Sequence, residues 1–83
     1  MVRYFFHTES PPHLDKEGME FASPTEAKIE AVRTMGELLR DQAADFWDRE
    51  ELKVIVTDVA GLILFVLDCS AVEAPVLRGL GQP

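Results

Sequence analysis

Residues 23–46 read SPTEAKIEAVRTMGELLRDQAADF, and this stretch decides the fold. Ser23 fits a helix N-cap, Pro24 fits the first helical position, and Glu26 follows the cap by three residues, which together make a capping box. The predicted helix runs from Pro24 to about Asp45. Its apolar stripe has helical spacings of three and four residues and comprises Ile29, Val32, Met35, Leu39, Ala43 and Phe46, flanked by Ala31 and Leu38. Gly36 falls mid-helix, where it is interpreted as a close approach to a strand or another helix.

Two stretches with strand character precede this helix. Residues 3–7 are aromatic and alternate, with Tyr4 and Phe6 on one face, and residues 19–21 alternate apolar and polar side chains. Between them, Pro11 and Pro12 predict a loop, and residues 15–18 predict a tight turn in which Gly18 adopts a positive φ.

Two further strands follow the helix, at residues 53–58 and 62–68, and Gly61 in the connecting turn predicts an antiparallel hairpin. The fold class is therefore α+β in the order ββαββ, with one amphipathic helix packed on a small, mainly antiparallel sheet. Strand order stays open, and so does a crossover between parallel strands. Residues 1–69 are expected to form a single domain, and residues 70–83 a tail that is loose or docked.

The charge balance excludes several classes of function. The 83 residues include 15 acidic and 8 basic side chains, which gives a net charge of −7. The basic residues are scattered singly, which argues against binding to nucleic acid or to an anionic membrane. The longest apolar run has nine residues, against about 20 for a membrane helix. With no signal-peptide pattern and a single cysteine, Cys69, the expected compartment is the cytoplasm.

The motifs together resemble a known family. Arg3-Tyr4-Phe5-Phe6-His7, the Asp15-x-Glu17-Gly18 turn, an Ala/Glu-rich helix and a Thr57-Asp58-x-x-Gly61 hairpin occur in that order. They resemble a family of short bacterial proteins, common in alphaproteobacteria, that are catalogued as domains of unknown function. The resemblance covers roughly residues 2–67. The chain departs from the pattern at Pro11-Pro12, where an Asp-Gly turn is usual, and in its longer tail. The resemblance implies the fold and no activity.

One cluster of residues has the chemistry of a binding site. His7, His13, Asp15 and Glu17 offer imidazole and carboxylate groups suited to a transition metal or a small molecule. Their spacing through a Pro-Pro loop sets no geometry, so a polar loop beside a strand-end histidine is the favoured interpretation. Cys69 is interpreted as a packing residue rather than a nucleophile. No catalytic residue and no cofactor are predicted, and a non-catalytic protein is favoured over an enzyme.

The last strand is apolar on both faces, with Leu62, Leu64 and Val66 on one and Ile63, Phe65 and Leu67 on the other. A single helix covers only one face of a small sheet, and a bare apolar face marks an interaction site. The sequence therefore predicts a homodimeric interaction or regulatory module, with Ile63, Phe65 and Leu67 as the candidate self-association face. The alternatives are a tail that folds back over the face and a small-molecule or metal-binding protein.

Overall fold

The computed structural model describes residues 1–9 and 12–79 and contains a mainly antiparallel sheet beside one long helix, which confirms the α+β class. The predicted Pro-Pro loop lies partly outside these residues, and Pro12 begins a short strand. The elements, in chain order, are β1 Val2–Glu9, β2 Pro12–His13, β3 Met19–Phe21, α1 Pro24–Asp41, α2 Phe46–Arg49, β4 Glu51–Thr57, β5 Ile63–Ser70 and α3 Pro75–Gly79.

The sheet is organised around β1. The strand order is β2-β1-β4-β5, and β3 pairs with the first residues of β1. Every pairing among the described strands is antiparallel. Because β3 and β4 are both antiparallel to β1, they run in the same direction, and α1 connects them without a parallel pair being formed.

The buried face of α1 differs from the predicted stripe. Ala27, Ala31 and Met35 are buried in the core, whereas Ile29 and Val32 are 48% and 60% exposed. The remaining core residues are Tyr4, Leu52, Val54 and Val56. The prediction was wrong at Ile29 and Val32 because hydrophobicity was used to choose the face. The two alanines face the sheet instead, since small side chains let a helix lie close to it.

The start of α1 agrees with the predicted cap, whereas its end comes earlier than predicted. At the start, the Ser23 hydroxyl accepts a hydrogen bond from the Glu26 N–H at 3.3 Å, as a capping box requires. The Glu26 carboxylate accepts from Ala22 N–H at 2.9 Å, one residue before the cap. At the other end, α1 stops at Asp41 and not near Asp45, and a turn separates it from α2.

Gly18, Gly36 and Gly61 occupy three different environments. Gly18 has φ +71°, and a Cβ there would lie 2.8 Å from the Tyr4 carbonyl oxygen. Gly61 has φ +88° in the β4–β5 turn, where a Cβ would meet open space. A Cβ on Gly36 would also meet open space, so the interpretation of Gly36 as a close approach was wrong. None of the helices in the described part of the chain is long and apolar enough to cross a membrane.

These environments predict a graded response to alanine. Gly18→Ala combines a positive φ with a backbone clash, so we expect it to lower the free energy of unfolding by about 2–4 kcal/mol. Gly61→Ala carries the strain of a positive φ alone and is expected to cost about 1 kcal/mol. Gly36→Ala is expected to stabilise α1 by up to about 1 kcal/mol. Urea unfolding of the three variants checks the order, and a stabilised Gly18→Ala would contradict it.

Candidate functional site

The His7 side chain is held at both ring nitrogens. Its Nδ1 accepts a hydrogen bond from the Asp15 backbone N–H at 3.0 Å. Because Nδ1 is an acceptor, the neutral ring carries its proton on Nε2, which donates to Thr57 Oγ1 at 2.9 Å. Thr57 is buried. The ring therefore bridges the loop after β2 and the end of β4.

Histidine, threonine and aspartate together suggest a nucleophile triad, but the hydrogen bonds run the wrong way. In a triad the carboxylate accepts from one imidazole nitrogen, and the other nitrogen takes the proton of the hydroxyl. Here the backbone N–H of Asp15 occupies Nδ1, and Nε2 already bears a proton. His7 in this tautomer cannot deprotonate Thr57, so the arrangement is not a nucleophilic centre.

The Asp15 carboxylate organises the turn that follows it. Its Oδ2 accepts from the Phe6 N–H on β1, and its Oδ1 accepts from the N–H groups of Glu17 and Gly18, each at 3.1 Å. Partial burial raises the pKa of Asp15, but these three hydrogen bonds and the nearby His7 outweigh it, so the pKa lies below the ordinary value of 3.8. The ionised carboxylate therefore ties the turn to β1.

A shallow hollow of about 360 Å³ lies beside this network. The Phe5 and His7 rings lie nearly parallel along one wall, with centroids 6.5 Å apart. The Asp58 carboxylate at the rim accepts from the N–H groups of Ala60 and Leu62 and so closes the hairpin turn. His7, Asp15 and Asp58, which line the described part of the hollow, all hold backbone in place, so these three side chains are not free for acid–base chemistry.

The structure brings together only part of the predicted cluster. His7 and Asp15 meet, but His13 lies opposite Thr8 on the other face of the sheet from His7. Glu17 joins through its backbone, which donates to Asp15 and accepts from the Arg3 side chain. Among residues 1–9 and 12–79, no three His, Cys, Asp or Glu side chains are placed to hold a metal ion. The four residues therefore do not form the metal site that was considered.

A second candidate surface is the outer edge of β5. This strand ends the sheet, and no described strand pairs with that edge. Phe65, Leu67 and Cys69 lie opposite core residues of β4 and pack toward the helix. Leu64 and Val66 therefore lie on the uncovered face, where Val66 is 48% exposed.

This placement corrects the predicted self-association face. Ile63, Phe65 and Leu67 do not form one bare face, because Phe65 and Leu67 are partly buried on the helix side. The uncovered apolar side chains of the strand are Leu64 and Val66 together with the exposed Ile63.

On the helix side, β5 borders an apolar groove of about 220 Å³. Its walls include Ala31 and the exposed Val32 from α1, and its floor includes Phe65 and Leu67. The Lys28 ammonium lies 6.0 Å from the centre of the Phe65 ring, at the range of a cation–π contact. The groove was missed from the sequence because Val32 was assigned to the core.

The segment after β5 also exposes apolar side chains. Val72 and Val76 are 85% and 75% exposed, and α3 carries Val76 and Leu77. Within residues 71–79, then, the tail does not bury its valines against the sheet. The surface thus has an open strand edge, an adjoining groove and an apolar tail in one chain.

Comparison with known proteins identifies the family and nothing more specific. A family model described as a domain of unknown function (DUF6894) matches residues 3–70, about four-fifths of the chain. The match confirms that the motifs belong to a family of unknown function. No curated protein matches the chain. The search of solved structures also finds no match.

The Asp15 network predicts a pH-dependent loss of stability in Asp15→Asn. The amide NH₂ of the new side chain would face one of the backbone N–H groups from which the carboxylate now accepts a hydrogen bond. We therefore expect the free energy of unfolding to fall by about 2 kcal/mol at pH 7. The pKa of Asp15 is lower in the folded state, so the stabilisation is complete above the ordinary value of 3.8 and disappears as pH falls through the folded value. Urea unfolding between pH 7 and pH 3 should show that the free energies of unfolding of the variant and the unmodified chain converge below about pH 4. Asp48→Asn, at an exposed position, is the control. A difference in the free energy of unfolding between Asp15→Asn and the unmodified chain that does not change with pH would contradict the prediction.

Proposed function

The chain belongs to the DUF6894 family of domains of unknown function, and we propose that this member is a non-catalytic interaction module that forms a homodimer by pairing its β5 strands. The observation that carries the proposal is the open outer edge of β5, whose side chains include exposed Ile63, Leu64 and Val66. The edge has backbone N–H and C=O groups ready to pair with another strand.

The composition of β5 supports pairing with another strand, because it has few of the residues that block an exposed edge. Edge strands of monomeric proteins are usually short or carry lysine, proline or a bulge that blocks a neighbour. β5 has eight residues, no lysine and no proline, and Asp68 is its one charged side chain. Its irregularity lies at Leu64, near one end of the strand, because Val56 pairs with Phe65 while Thr57 pairs with Ile63. The stretch from Phe65 to Leu67 is regular and apolar.

An antiparallel β5–β5 pair about a twofold axis would join two sheets into one. Such an interface is isologous, since the same strand is contributed by each copy. A specific interface covers about 600 Å² per partner at the lower end of the range, roughly a tenth of this chain's 5872 Å² surface. The strand edge with its flanking groove and exposed side chains offers a continuous patch for this contact.

The net charge of −7 per copy opposes association at long range. Added salt screens that repulsion without weakening apolar contacts. The proposal therefore requires dimers whose dissociation constant falls when the salt concentration rises. A contact made mainly of ion pairs would give the opposite dependence.

The alternative is a small-molecule site in the hollow beside His7. Phe5 and His7 would form an aromatic wall for a flat ligand. The dimer is the stronger proposal because His7, Asp15 and Asp58 beside the hollow are committed to hydrogen bonds within the fold. The backbone groups along the outer edge of β5, in contrast, face no described strand.

The dimer predicts a defined response to Val66→Asp. Near a twofold axis this change places two carboxylates close together in an apolar contact, so we expect the dissociation constant to rise at least about tenfold. Light scattering across a concentration series at two salt concentrations measures it, with the unmodified chain giving twice 9.3 kDa. Because Val66 is half exposed, the isolated fold should tolerate the change.

Ile29→Asp is the matched control. It adds the same charge at a side chain with the same exposed fraction, on the flank of α1 that borders Phe21 rather than β5. The control should remain dimeric. A monomeric unmodified chain at about 100 µM, or equal effects of the two variants, would overturn the proposal.

A further inference from the structure

Pairing of β5 would create a trough above the joined sheets. A twofold axis perpendicular to the sheet keeps both α1 helices on the same face. α1 packs over β4, which is next to the edge strand. The two β4 strands would then be separated by three strand spacings of about 4.8 Å, or about 14 Å. Directly packed helices lie 8–10 Å apart.

Apart from Lys28 at one end, the side chains that line each half of this trough are apolar. Phe65 and Leu67 of both copies form its floor, and Val32 of both copies faces it from the helices. A gap of about 5 Å between the helices leaves these groups accessible to water unless another segment covers them. The tail of residues 71–79 has the exposed Val72 and Val76, which are available to cover them.

Resting on the dimer proposed above, we infer that each tail crosses the interface and fills the half of the trough that belongs to the other copy. The direction of the strands supports exchange. In an antiparallel pair centred near Val66, Ser70 of one copy lies beside residue 62 or 63 of the other. That end of the trough contains Phe65 and Lys28, so the second copy's tail leaves its strand within a few residues of the groove.

The tail of the same chain starts at the other end. Ser70 lies five residues beyond Phe65, about 17 Å along the strand. It is at the level of Glu51, whereas Phe65 is at the level of Val56. To reach Lys28, a chain's own tail would have to reverse and travel back along the whole groove.

The opposite charges of Glu73 and Lys28 support the exchanged position of the tail. Glu73 follows Ser70 by three residues, and Lys28 borders the groove at the end where the exchanged tail would enter. Exchange brings this carboxylate near the ammonium group while Val76 and Leu77 reach the apolar floor. The Glu73 carboxylate would thus meet the cation that flanks Phe65.

Disulfide trapping tests the exchange in the full chain. In a Cys69→Ser background, one copy carries Lys28→Cys and the other carries Glu73→Cys. Mild oxidation of the mixture should give a covalent dimer on a non-reducing gel, and each copy alone should give much less. Ile29→Cys replaces Lys28→Cys in the control, because its side chain faces the far flank of α1.

The same substitutions in one chain separate exchange from fold-back. A chain with both Lys28→Cys and Glu73→Cys should yield covalent dimers; an internal disulfide in a monomer would overturn the exchange. Val76→Asp should raise the dissociation constant at least about fivefold, whereas Ile29→Asp should leave it unchanged. If light scattering shows a dimer that neither cross-links nor responds to Val76→Asp, the exchange is wrong and the β5 pairing stands. If the unmodified chain is monomeric, the pairing itself is wrong.

Discussion

The packing of Ala27 and Ala31 against the sheet is the constraint on which the rest of the structure depends. Both side chains are almost completely buried, in one cluster with Val54 and Val56 of β4. A helix is about 10 Å wide with its side chains, and strands are about 4.8 Å apart, so one helix covers about two strands. Because the alanines place α1 over β4, the outer side of β5 is left uncovered. The open edge and the groove beside it follow from this position.

Most of the fold could be predicted from local patterns, because caps, turns and strand alternation depend on near neighbours. Ser23 and Gly18 act as their sequence context indicates. The buried face of α1 could not be predicted in this way. Val32 is more hydrophobic than Ala31, but the sheet accepts the smaller residue since it allows closer packing. The pairing of His7 with Thr57 was equally invisible, because it depends on the register between β1 and β4.

Asp15 and His7, two residues of the predicted binding cluster, have a structural role. Asp15 accepts from three backbone N–H groups, and His7 connects the same loop to Thr57. These bonds compensate for the short strands on this side of the sheet, since β2 and β3 have two and three residues. A metal ion at Asp15 would have to compete with those donors for the same oxygen atoms. The motif therefore explains how the turn is held against β1.

The difference between the two edges of the sheet limits the number of copies that strand pairing can join. An exposed edge invites continuous strand addition when both edges of a sheet are open. Here β2 ends the strand order opposite β5, with two residues, one of which is Pro12 and has no N–H to donate. The proposed pairing of β5 with its own copy would consume the long apolar edge of each chain and leave short, poorly pairing edges outside. A twofold contact of this kind would close at two copies, and the charge of −7 on each chain would oppose further stacking of the joined sheets.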